Sequence, residues 1–148
     1  MPCRATLRGG GGATRGPERW QDIVSSIESS PCAPRGVEWI VDAQGCDASR
    51  LKQRSVLEPL LHAVVADLGL SIVGAPHWHA FPGHAGVTAL YLLAESHLSC
   101  HTYPEHGLAA FNLYCCRQRP DWPWEARLAD VLGARRVDVR RFERGATG

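Results

Sequence analysis

The chain lacks any apolar run near the roughly 20 residues that a membrane-crossing helix needs. Glycines 9 to 12 stand where a secretory signal would carry its apolar segment. Both absences point to a cytoplasmic protein. A formal net charge of +1, with arginines scattered along the chain, excludes the basic stripe of a nucleic-acid binder. The small clusters Arg135-Arg136 and Arg140-Arg141 read as a solvated strand edge. No Cys-x-x-Cys pair is present, which weakens a zinc reading, and no Gly-x-Ser-x-Gly elbow, which weakens a serine hydrolase. In a reducing compartment the six cysteines are thiols rather than a disulfide frame. Adjacent Cys115 and Cys116 would point to opposite faces of a strand and hold different jobs.

What is there suffices for one domain: 148 residues, 45% hydrophobic and 21% charged. Residues 1–35 differ from the rest, with four consecutive glycines, several prolines and few large apolar groups. They are expected to form a disordered extension, with one short helix possible from Pro17 through Trp20, Ile23, Val24 and Ile27. The compact domain is expected over residues 36–148.

Val37 to Ala43 reads as a strand, ended by the turn Gly45-Cys46-Asp47. Ser55-Val56-Leu57-Glu58 has the form of a capping box. Leu57, Leu60, Leu61, Val64, Val65 and Leu68 follow at helical spacing, and Gly69 stops the helix. Further strands are expected at Leu70–Val73, Val87–Ala94, His97–Tyr103 and Ala109–Cys116, with a Pro/His/Gly-rich loop up to Gly86 and a turn at Pro104–Gly107. Pro123–Leu132 is a second amphipathic helix, and Arg136–Phe142 a last strand with Val137, Val139 and Phe142 inward. Phe111 and Tyr114 read as core. This order predicts an α+β two-layer sandwich, a mostly antiparallel sheet with two helices on one face. The sheet's open face needs cover, which a homodimer would supply.

The stretch Ala94 to Gly107 places a hydroxyl, imidazoles, a thiol and two carboxylates within fourteen residues of a strand-like run. Buried polar groups need partners, so so dense a cluster argues for chemistry. His77, His79 and His84, or His97, His101 and Cys100, are the metal-ligand alternatives. On a strand, however, His97 and His101 are over about 13 Å apart and do not converge on one ion. No metal is expected. Self-processing accounts for more of the cluster. A serine hydroxyl at Glu95-Ser96 can attack the preceding carbonyl and turn the amide into an ester. A base then removes the serine α-proton, the ester is eliminated, and the product hydrolyses to a pyruvoyl group. This needs a small hydroxyl, a nearby imidazole and a donor to the carbonyl oxygen, for which Ser96, His101 and Thr88 are candidates. Such a ketone forms a Schiff base with a substrate amine and draws off electrons. Cys116, a thiol of tunable pKa, is the candidate proton donor after decarboxylation.

Glu95-Ser96-His97, His101-Thr102, Pro104-Glu105, Gly107, Ala109-Ala110, Cys116 and the turn Gly45-Cys46-Asp47 resemble the prokaryotic S-adenosylmethionine decarboxylase proenzymes. The resemblance covers approximately Gly36 to Gly145. It implies cleavage between Glu95 and Ser96 into a β chain, 1–95, and an α chain, 96–148, with Ser96 becoming the pyruvoyl cofactor. It further implies His101 as processing base, Thr88 as its support, Cys116 as proton donor, and a substrate site with Glu105, Tyr103 and Phe81. The implied reaction converts S-adenosylmethionine to its decarboxylated form and CO2 for polyamine synthesis. Departures are Tyr103 for the usual tryptophan, Ala43-Gln44 for an aromatic pair, Asn112 for an aspartate, Glu38 for a histidine and Cys100 for an aliphatic residue. Fewer aromatics leave arginine or ornithine as alternative substrates, and a non-catalytic regulatory homologue as a third reading.

Overall fold

A computed structural model describes residues 35–145. Nearly all of the N-terminal extension, with the helix expected from Pro17, lies outside the described residues. Six strands form one sheet: β1 (Arg35–Gln44), β2 (His77–Ala80), β3 (Val87–Leu93), β4 (Ser96–Tyr103), β5 (Leu108–Cys115) and β6 (Arg136–Gly145). Their order is β2-β3-β4-β5-β1-β6, and every neighbouring pair is antiparallel. Three helices accompany them: α1 (Ala48–Leu51), α2 (Arg54–Asp67) and α3 (Trp124–Leu132).

Alternation builds the core. Val37, Trp39, Val41 and Ala43 of β1 are buried, as are Leu98, Cys100 and Thr102 of β4 and Ala109, Phe111, Leu113 and Cys115 of β5. Leu57, Leu61 and Val64 of α2 join the same cluster with Trp124, Leu128 and Leu132 of α3, so both helices cover one face. Each fully buried aliphatic side chain contributes about 1.5–3 kcal/mol. The opposite face carries Glu38, Ile40 and Asp42, Thr88, Leu90 and Leu92, and His97, Ser99 and His101; no described element covers it.

The turn Gly45-Cys46-Asp47 locks the sheet's end to α1. Asp47 caps that helix, its Oδ1 accepting from the Ser49 N–H at 2.8 Å. The Cys46 N–H donates to the Gly107 carbonyl at 2.9 Å, and Cys46 itself is buried. Gly107 has φ +58, and a Cβ there would lie 3.1 Å from the Cys46 carbonyl oxygen, so the β4–β5 turn needs glycine.

Four local expectations fail, each for an identifiable reason. The capping box does not form: α2 starts at Arg54, Gln53 offers no side-chain cap, and Glu58 is taken in a bidentate pair by Arg54. Leu70–Val73 makes only an isolated bridge, Ile72 to Leu93, and the edge strand falls instead at His77–Ala80. That strand is short, and it hides from sequence because only Trp78 turns inward, edge-on against Tyr91 with the Arg54 guanidinium over its ring. Phe142 is 46% exposed, because an odd step from Val139 puts it on the open face. Tyr114 likewise alternates to the open face, under the Arg144 guanidinium, whereas Phe111 is core.

Candidate active site

The β3–β4 hairpin closes with Leu93 opposite Ser96, leaving Ala94-Glu95 as a two-residue turn. Such turns usually take positive φ at the turn residues themselves, with glycine or asparagine there. Here neither does, and the left-handed twist falls on Ser96, at φ +154. For a residue with a Cβ this backbone costs on the order of 1–3 kcal/mol. The strain therefore sits beside the Glu95–Ser96 peptide bond.

Register fixes the surroundings of that bond. Tyr103 pairs with Leu108 across the short turn, and counting back sets Ser96 opposite Cys115. Cys116 thus follows beside Glu95, and its backbone N–H donates to the Glu95 carbonyl oxygen at 2.9 Å. A donor to this carbonyl was sought among side chains; the one present is a backbone N–H, and Thr88 pairs with His101 instead. The Glu95 carboxylate accepts from the Ser71 N–H at 3.1 Å and faces Arg119 at 4.0 Å. Ser96 Oγ lies 3.2 Å from His97 Nδ1, and His97 Nε2 lies 3.1 Å from Asn112 Oδ1. The two adjacent cysteines diverge: Cys116 is exposed, while Cys115 is buried and its thiol is pushed up to about 11, chiefly by desolvation.

A second cluster occupies the other end of β4. His101 pairs with Thr88 across β3, and Thr88 Oγ1 lies 2.5 Å from His101 Nδ1. The Phe81 ring centroid is 5.3 Å from that of His101, and the Tyr103 ring centroid is 4.4 Å from it. Glu105 follows in the short 3-10 turn Pro104–His106. A shallow depression of about 380 Å³ adjoins this cluster on the open face, walled in part by Ile40, Leu90, Ala110 and Asn112.

The predicted residues thus gather in two groups. Glu95, Ser96 and Cys116 share one end of the sheet; Thr88, His101, Phe81, Tyr103 and Glu105 share the other. Five residue steps of extended strand separate Ser96 from His101, about 17 Å at about 3.3 Å per step. One chain does not bring the two together. Sequence reasoning also missed the links from His97 through Asn112 to Glu38, whose Oε1 accepts from Asn112 Nδ2 at 2.9 Å. Among the described residues no three His, Cys, Asp or Glu side chains converge as a metal site. Nor, among them, is any helix long and apolar enough to cross a membrane.

The model of the family described as S-adenosylmethionine decarboxylase matches residues 37–145. The chain belongs to the S-adenosylmethionine decarboxylase family. The S-adenosylmethionine decarboxylase proenzyme of Aquifex aeolicus is 35% identical over 112 residues, covering 74% of this chain and 81% of that protein. The proenzyme of Picrophilus torridus is 33% identical over 113 residues, with 75% and 85% covered. The crystal structure of the Aquifex aeolicus adenosylmethionine decarboxylase superposes with a TM-score of 0.65 at 30% identity, covering 79% of this chain and 96% of that one. The family match begins at the first core residue of β1 and ends with β6, so it takes in both groups of site residues.

Proposed function

We propose that this protein cuts its own chain between Glu95 and Ser96 and then decarboxylates S-adenosylmethionine, feeding polyamine synthesis. One observation carries the reading. The peptide bond to be broken precedes a strained Ser96, and its carbonyl oxygen is already held by the Cys116 N–H. A hydrogen bond there stabilises the oxyanion that forms when Ser96 Oγ attacks. Expulsion of the Ser96 nitrogen leaves Glu95 in ester linkage to Ser96 Oγ. Removal of the Ser96 α-proton by His101 then releases the Glu95 carboxylate, and water replaces the nitrogen, which leaves as ammonia. The ketone left at position 96 is the pyruvoyl cofactor, which supplies the electron sink for decarboxylation. The residues fit that group: a hydroxyl at a chain turn, with an exposed thiol beside it.

His101 must reach Ser96, and we assign that approach to a second copy of the chain. The open sheet face exposes Leu90, Leu92 and Phe142 by 49%, 61% and 46%, apolar surface that a packed sheet would cover. Facing sheets lie about 10 Å apart. A two-fold axis in the plane between them, crossing β4 near Leu98 and Ser99, would set each Ser96 against the other copy's His101, Thr88 and Glu105. Both clusters recur in each copy, so the homodimer completes two sites.

In this arrangement the Phe81 and Tyr103 rings supply faces for the adenine and the sulfonium cation, and Glu105 accepts from the ribose hydroxyls. Cys116 holds the proton that replaces the departing carboxylate. Four free cysteines among the described residues, one exposed, suit the cytoplasm. Carbon dioxide release from S-adenosylmethionine, arginine and ornithine, measured side by side on the purified protein, tests the substrate. S-adenosylmethionine is expected to turn over at least about 30-fold faster, as two aromatic contacts at about 1–2 kcal/mol each imply. Preferential turnover of arginine or ornithine would reject it.

A further inference from the structure

The first step also needs a side chain to accept the Ser96 hydroxyl proton, and His101 stands too far along β4 within one chain to contact that hydroxyl. The hydrogen-bond chain that starts at Ser96 Oγ supplies a candidate. It runs through His97, on β4, to Asn112 on β5, Glu38 on β1 and Arg144 on β6. Donor and acceptor roles along it follow from its far end. Arg144 can only donate, and an ionised carboxylate can only accept. The Asn112 and Arg144 hydrogen bonds hold the Glu38 carboxyl below its ordinary value against the opposing effect of burial, with smaller contributions from the charges of Arg144 and His97. Glu38 therefore takes a hydrogen from the Asn112 amide nitrogen, which leaves the Asn112 carbonyl oxygen facing His97 Nε2. That oxygen accepts only, so Nε2 must carry the imidazole hydrogen. In neutral His97 the lone pair is then on Nδ1, 3.2 Å from Ser96 Oγ. Besides these groups, the Tyr114 ring flanks the imidazole at 6.0 Å between centroids.

We propose that His97 is the base for the first step of self-cleavage, a catalytic residue in its own right, and that Asn112 and Glu38 are positioning residues that fix its tautomer. As Ser96 Oγ bonds to the Glu95 carbonyl carbon, its proton passes to Nδ1. The carbon–nitrogen bond then breaks, and the same proton goes to the departing Ser96 amine. Amide becomes ester with no other reactant. The inference rests on the self-cleavage reading and adds a division of labour: His97 makes the ester, His101 of the other copy consumes it.

Hydroxylamine breaks esters but not ordinary amides, which separates the two steps. The full chain carrying His101→Ala should stall as the ester and be cut at Glu95–Ser96 by hydroxylamine. His97→Ala in the same background should be cut at least about 100-fold more slowly, the span expected of one general base. Two further variants in that background read the tautomer. With Glu38→Gln the new amide can donate to Asn112, which frees Asn112 to turn its nitrogen to His97; a roughly 10-fold slowing is expected. The double exchange Glu38→His with Asn112→Asp still places an acceptor at Nε2 and should recover the rate that Glu38→Gln loses. Equal hydroxylamine cleavage with and without His97 would overturn the proposal, and so would wild-type and His97→Ala chains that self-cleave at one rate. Failure of the wild-type chain to self-cleave at all would instead reject the underlying reading.

Discussion

Co-expressed Ser96→Ala and His101→Ala chains are expected to recover a cleavage that neither shows alone. Ser96→Ala removes the nucleophile, and His101→Ala removes the base for α-proton abstraction, so each homodimer should stay uncut. In a mixed dimer the two defects fall in the same site if Ser96 works with the His101 of the other copy. The second site then holds an intact Ser96, from the His101→Ala chain, and an intact His101, from the Ser96→Ala chain. Cleavage should return in the His101→Ala chain only, and at most half of all chains should be cut. Within one copy, about 17 Å of extended β4 lies between Ser96 and His101. A denaturing gel with differently tagged chains reads the result. Absence of cleavage in co-purified mixed dimers would mean that one copy supplies both residues by a route that this fold does not provide.

Cys116→Ala should separate processing from turnover. Its backbone N–H, which holds the Glu95 carbonyl oxygen, survives the substitution, so the chain should still cut itself at close to the wild-type rate. Its thiol does not survive, and decarboxylation should slow by about 10²–10⁴-fold, the usual contribution of one positioned proton donor. Cys115→Ala is the contrast. That thiol is buried in the core, where desolvation pushes it up to about 11 and keeps it protonated. Its loss should leave kcat unchanged and lower stability through the small cavity it opens. Loss of self-cleavage in Cys116→Ala, with the fold intact, would contradict the assignment of the thiol to turnover.

The fold was legible where periodicity was strong. The 3-and-4 spacing of Leu57 to Leu68 identified α2, and strand-like runs between turn residues identified β1, β3, β4 and β5, because each buries one face against a single core. It was illegible where the edge of the sheet carries little hydrophobic signal. His77–Ala80 reads as loop, since its pairing with β3 is specified by backbone hydrogen bonds that no side-chain pattern announces. Candidate residues for the site can be named from sequence, and their grouping cannot. Ser96, His101 and Cys116 were named together, yet only Ser96 and Cys116 share an end of the sheet. The length of the Pro104–Gly107 connection contained that information: closing Tyr103 on Leu108 forces Cys116 beside Glu95. The position of the Cys116 N–H could have been found by that count. The line from His97 to Glu38 could not, because it crosses three strands whose order only the folded sheet sets.

The mass of the purified full-length protein tests the central claim most directly. Self-cleavage predicts two fragments. One ends at Glu95; the other begins at residue 96 and is lighter, by one ammonia, than the same peptide with an N-terminal serine. Ser96→Ala should give one uncut chain. A wild-type preparation that yields only the mass of the uncut 148-residue chain would contradict the account.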